Sequence, residues 1–145
     1  MLGVRLDHAT INTTNLAESI SFYARFLGLR TDWRPDFGFD GAWLYAEDGD
    51  YPIVHLIEVP NGASGHGMFN HIAFRGRDLP AYLSKLKAER CWFEAASVKD
   101  TPLTQIHLFD PNGVRIEVVF EEPLECKHLS SADFGVDAVG RGMLA

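Results

Sequence analysis

Four side chains able to bind a metal stand at matched places along this chain. His8 and His71 lie 63 residues apart, and His55 and Glu117 lie 62 apart. Imidazole and carboxylate are ligands for Zn, Ni, Mn, Co or Fe, and no thiolate joins the set, which disfavours Cu(I) or a structural cysteine-type zinc. A lone histidine in a strand is usually a satisfied polar residue. The joint spacing points instead to one site on a pseudo-twofold axis. His55 could also line that site without binding. His107, ten residues before Glu117, sits where strand parity puts it on the same face, with Gln105 and Phe109. It is either a second proton carrier or a half-exposed strand residue. His66, between two glycines, and His128 read as solvent residues.

The elements that must position these groups repeat as well. Asp7-His8-Ala9-Thr10-Ile11 opens one copy and Asn70-His71-Ile72-Ala73-Phe74 opens the other. Seven residues after each histidine comes a helix start, at Asn15 and Asp78. Glu18 would complete a capping box with Asn15, and Gly28 suits a left-handed helix end. Leu16, Ile20, Tyr23, Phe26 and Leu27 fall on one helical face. An internal repeat outranks local signals in deciding the fold. The copies read as two βαβββ modules, 4–59 and 68–121, joined by a glycine-rich linker, 60–67.

Module one is expected to hold strands 5–11, 29–34, 41–47 and 51–59. Module two is expected to hold strands 68–75, 91–97, 103–109 and 114–120, with a helix over 79–89. Asp110-Pro111-Asn112-Gly113 is a strong turn signal between the last two. The fold class is α+β: two modules forming a cupped mixed sheet, helices outside, as a single domain 1–121. In each strand the polar candidate lies opposite the apolar run, so one sheet face is core and the other lines a cavity. Trp33, Phe37, Phe39 and Trp43 crowd one stretch and would pack a core or dimer, or lid a substrate. The tail 122–145 has little periodicity and reads as an irregular arm.

Composition bounds the function. Hydrophobic content of 46% supports a real core, and no run of 18 apolar residues exists to span a membrane. A net charge of −7 without a basic cluster argues against nucleic acid. No basic region followed by an apolar stretch opens the chain, so no signal peptide is expected. Cys91 and Cys126 are isolated, which suits a reducing cytoplasm. A homodimer is expected, because the loop carrying Trp33 and Trp43 would otherwise be a sizeable exposed apolar patch.

The chain resembles the vicinal oxygen chelate superfamily, which includes glyoxalase I, methylmalonyl-CoA epimerase, fosfomycin-resistance enzymes, bleomycin-resistance proteins and extradiol dioxygenases. The resemblance covers about residues 4–121. It rests on Leu6-Asp7-His8, on Ser21-Phe22-Tyr23 followed by Phe26-Leu27-Gly28-Leu29, on Asn70-His71-Ile72-Ala73-Phe74, and on Asp110 through Glu117. It implies the glyoxalase/bleomycin-resistance/dioxygenase fold and a divalent metal held by His8, His55, His71 and Glu117. Glyoxalase I usually has Glu where His55 stands, and the epimerases have Gln. Fosfomycin enzymes and dioxygenases use only the other three positions, and similar fosfomycin enzymes carry a cavity tyrosine at His107.

Coordination counting separates the activities. Four protein ligands on a six-coordinate ion leave two open positions, enough for two adjacent substrate oxygens. An extradiol dioxygenase needs a three-residue facial set and three open positions. The expectation is therefore a lyase or isomerase acting on a small substrate with vicinal oxygens through an enolate-like intermediate. Glu117 or His107 would move the proton. The alternatives are an extradiol-type dioxygenase and a metal-independent, bleomycin-resistance-type protein that sequesters its ligand.

Overall fold

The computed structural model describes residues 6, 8–61, 69, 71–98 and 100–136. Asp7, Asn70, His66, most of the linker and the end of the tail lie outside the described residues. The chain divides into two compact units, Met1–Ala63 and Ser64–Ala145, and the division falls inside the expected linker. Each unit has its own mixed sheet, so the fold is α+β, with two sheets and two α-helices among the described residues.

The first unit runs β1 (Ala9–Thr13), α1 (Leu16–Leu27), β2 (Arg30–Thr31), β3 (Gly41–Tyr45) and β4 (Pro52–Glu58), with sheet order β1-β4-β3-β2. β1 runs parallel to β4, and β3 antiparallel to it. Alternation sends Ile11, Ala42, Leu44, Val54 and Leu56 into the core with Phe22, Tyr23 and Phe26 of α1. Burying each of these larger side chains stabilises the unit by about 1.5–3 kcal/mol.

Asn15 caps α1 by accepting from the Glu18 N–H at 3.1 Å, and Gly28 ends it at φ 66°. The expected capping box is half formed. The Asn15 N–H donates to Thr13 Oγ1 at 3.0 Å, so the donor that Glu18 would serve is already taken. The Leu16 N–H donates to Glu58 Oε1 at the far end of β4, at 3.4 Å. The buried face is also turned relative to expectation. Ser19 and Phe22 point inward while Leu16, Ile20 and Leu27 are half-buried. Ser19 tolerates burial because its hydroxyl meets Thr13 Oγ1 at 2.9 Å.

The second unit runs β5 (Ile72–Arg75), α2 (Leu79–Ala88), β6 (Glu94–Ser97), β7 (Thr104–Phe109), β8 (Arg115–Phe120), β9 (His128–Ser130) and a 3-10 turn, Ser131–Phe134. Its order, β5-β8-β7-β6-β9, repeats the first sheet and adds one strand. Asp78 caps α2 by accepting from the Ala81 N–H at 3.2 Å. Both oxygens of Glu122, just past β8, accept from the Leu79 N–H at 3.0 and 3.2 Å. The device used by Glu58 in unit one thus recurs at α2. Between β7 and β8, Asp110 Oδ1 accepts from the N–H groups of Asn112 and Val114, both at 2.8 Å, and Gly113 adopts φ 90°. This turn fixes the register of the two strands.

Two expectations need correction. β2 is two residues long rather than spanning 29–34. The Asp32 carboxylate takes the Trp33 N–H at 2.7 Å, and Pro35 has no N–H to offer a ladder. The segment expected as an irregular arm instead supplies β9, antiparallel to β6, with Ala95 opposite Leu129. β6 would otherwise be an open sheet edge. Ser130 and Asp133 form a capping box beyond it, and the Phe93 N–H donates to Ser131 Oγ at 3.1 Å. Among the described residues, no helix is long and apolar enough to cross a membrane.

Candidate metal centre

In both sheets the strand second in order carries the key residue on the face away from the apolar core. In β4 that residue is His55, with Thr10 of β1 opposite it on one side and Trp43 of β3 on the other. In β8 it is Glu117, with Ala73 of β5 and His107 of β7 opposite. His8 and His71 each stand two residues before the β1 and β5 partner. His55 and Glu117 are therefore equivalent positions, as are His8 and His71, and Trp43 answers to His107.

In unit two this row is polar. His107 Nε2 meets Glu117 Oε1 at 3.0 Å, and His71 Nε2 lies 3.7 Å from the same oxygen. Glu117 is buried, 7% exposed, while His107 and His71 are partly open. A buried carboxylate needs such partners, because leaving it unpaired is expensive. Arg115, on the same face, has a buried Nε with no hydrogen-bond partner among the described residues.

In unit one the row is a stack of rings. His8 lies on His55 with centroids 3.8 Å apart and planes 13° apart, and Trp43 covers the other face of His55 at 4.5 Å and 16°. Beyond it Trp33 meets Trp43 edge-on at 5.9 Å, and Phe37 and Phe39 stack at 5.7 Å. The loop starts at Asp32. The Trp33 N–H and the Arg30 guanidinium hold its carboxyl below the usual range. A cavity of about 160 Å³ opens here, lined by Thr10, Arg34, Phe37, Phe39, Trp43 and His55 among others.

The donor chemistry fits a divalent ion unevenly. Two donors about 2.1 Å from one ion sit roughly 3.0–3.4 Å apart, so His71 and Glu117 at 3.7 Å need only a small closure. Ring nitrogens direct their lone pairs in the ring plane. The His8–His55 stack must therefore open before both can face one ion. Among the described residues, no three His, Cys, Asp or Glu side chains stand close enough to hold an ion as they are. The structure thus gathers His8 with His55, and His71 and His107 with Glu117. His128 is exposed on β9.

Sequence reasoning missed Arg34 and the stacking role of Trp43, while parity had put Thr10 on the same face as His8. Period-two alternation along β3 and β4 would have put Trp43 beside His55. Arg34 sits in an irregular stretch that offers no such signal.

Comparison with known proteins agrees with this architecture. A relative from Arabidopsis thaliana named Glyoxylase I 4 is 27% identical over 122 residues, covering 78% of this chain and 68% of the relative. The crystal structure of a genomically encoded fosfomycin resistance protein, FosX, from Listeria monocytogenes superposes with a TM-score of 0.64 at 14% identity. The match covers 83% of this chain and 93% of that one. A glyoxylase/bleomycin resistance protein/dioxygenase domain from Frankia sp. EAN1pec gives 0.64 at 16% identity, covering 83% and 92%. These low identities speak for the fold. The family profile matches residues 5–118, and the chain belongs to the Glyoxalase/Bleomycin resistance protein/Dioxygenase superfamily.

Proposed function

We propose that this chain is a divalent-metal lyase or isomerase acting on a small substrate with two adjacent oxygens. The observation that carries this reading is the His107–Glu117–His71 row, which sets a buried carboxylate against an imidazole at hydrogen-bond distance. The named relative, Glyoxylase I 4, supports the same reaction class.

His8, His55, His71 and Glu117 would hold the ion: Ni, Zn, Mn, Co or Fe. When bound, such an ion supplies positive charge that stabilises a developing enolate-like oxyanion. Glu117 accepts the proton from the carbon next to the substrate carbonyl. With its own proton on Nε2, His107 donates to Glu117 Oε1 and fixes the carboxylate. With its proton on Nδ1, His107 Nε2 receives what Glu117 has taken. The buried setting keeps bulk water from competing for either proton.

The chain is also proposed to act as a cytoplasmic homodimer. Trp33 is 67% exposed, a large apolar surface for a second copy to cover, and among the described residues Cys91 and Cys126 form no disulfide. Sedimentation at micromolar concentration should give a dimer; a monomer would overturn that part. A second reading, ligand sequestration without metal, draws on the aromatic cavity of unit one.

Solvent deuterium exchange tests the main reading. Candidate 2-hydroxy-carbonyl, 2-oxo and thioester substrates should gain deuterium in the presence of Ni, Co, Zn or Mn. Oxygen-dependent cleavage of a catechol without exchange would favour the dioxygenase. Ligand binding equal before and after chelation, again without exchange, would favour sequestration.

A further inference from the structure

We infer that the cavity of unit one is a subsite for a single aromatic ring bearing an anionic group, with Arg34 as the residue that recognises the charge. The inference rests on the proposed function only in treating the occupant as substrate; the binding itself requires no metal.

Size comes first. About 160 Å³ accommodates one six-membered ring, since an apolar cavity of about 150 Å³ holds benzene. Shape agrees. Phe37 and Phe39 stack 18° from parallel, and Phe37 tilts 47° to Trp43 at 6.1 Å, leaving aromatic faces on more than one side. Phe37 and Phe39 are 48% and 49% exposed, an unfavourable state for rings of this size unless something covers them.

Charge selects the substituent. The Arg34 guanidinium lies 4.9 Å from the Phe37 centroid and 5.2 Å from that of Phe39, and its Nη2 donates to the Phe39 carbonyl at 3.2 Å. That bond leaves further donors, and among the described residues no carboxylate pairs with it. A cation without a counter-ion among the described residues, in a chain of net charge −7, draws a carboxylate or phenolate to the mouth of an aromatic cavity. Gly41 makes room for the guanidinium. A Cβ there would fall 2.9 Å from Arg34 Nη2 and 2.4 Å from the Leu56 carbonyl oxygen. An alkyl acid would satisfy the guanidinium but not the ring faces.

The test uses the full chain, stripped of metal with EDTA, and calorimetric titration with benzoate, cyclohexanecarboxylate and benzyl alcohol. Benzoate should bind tightest of the three. Arg34→Gln should weaken benzoate about ten- to a hundredfold and leave benzyl alcohol unchanged, while Arg34→Lys restores part of the loss. Phe37→Ala should weaken benzoate and benzyl alcohol together. Equal binding of cyclohexanecarboxylate, no benzoate binding at millimolar concentration, or indifference to Arg34→Gln overturns the proposal. So does a Phe37→Ala variant that changes subunit number by light scattering while keeping its benzoate affinity, since the rings would then belong to a copy interface. Because no metal is present, failure here leaves the deuterium-exchange test of the proposed reaction intact.

Discussion

The two units share a strand order, a helix placed after the first strand and a glutamate on the first helical N–H, yet their central rows differ. In the first, Trp43, His55 and His8 lie face to face. In the second, His107, Glu117 and His71 meet through polar atoms. One scaffold therefore carries two chemistries at matching register positions. A stack of rings offers flat apolar surface and cannot move a proton along its axis. A carboxylate between imidazoles can. On the proposed reading, recognition falls to unit one and proton transfer to unit two.

The largest effect should come from breaking the polar row. Glu117→Ala removes both a proposed ligand and the proposed base. Turnover should fall about 10²–10⁴-fold or more, with far-ultraviolet circular dichroism unchanged. His107→Phe keeps the bulk and removes the relay, so a loss of about 10–100-fold is expected in steady-state kinetics. Equal activity after either change would dissolve the contrast between the rows.

The core beneath them should respond in stability instead. Ile116 is fully buried on the opposite face of β8, and Ile116→Ala should cost about 2–5 kcal/mol in denaturant unfolding. Activity below the unfolding transition should be retained. A smaller change sharpens the other half of the comparison. Trp43→Leu removes one aromatic face from His55, a loss of about 0.5–1.5 kcal/mol, and should alter ligand binding more than turnover. The smallest expected effect lies in the helix starts. Glu122→Ala removes two close carboxylate contacts and should cost about 1 kcal/mol. Glu58→Ala removes one at 3.4 Å and should cost a few tenths. Paired melting curves measure both.

Much of this was legible in the sequence, for a physical reason. Asn15, Asp78, Gly28 and the Asp110–Gly113 turn act through bonds to residues a few positions away, so spacing alone reveals them. The repeat carries the strand order with it, and parity puts His55, His107 and Glu117 off the core face. What escaped depends on distant partners. β9 is three residues long and exists because β6 offers an edge. Ser19 is buried because Thr13 is there to meet it. Parity places His8 and His55 on one face, but not whether they present ring faces or nitrogen edges to each other.

Metal titration of untagged, metal-free protein tests the central claim most directly. Calorimetry with Co or Ni should show one ion per chain. That binding should be lost in His71→Ala and Glu117→Ala and weakened in His8→Ala and His55→Ala. No binding to the unaltered chain, or binding indifferent to His71→Ala and Glu117→Ala, would contradict the account.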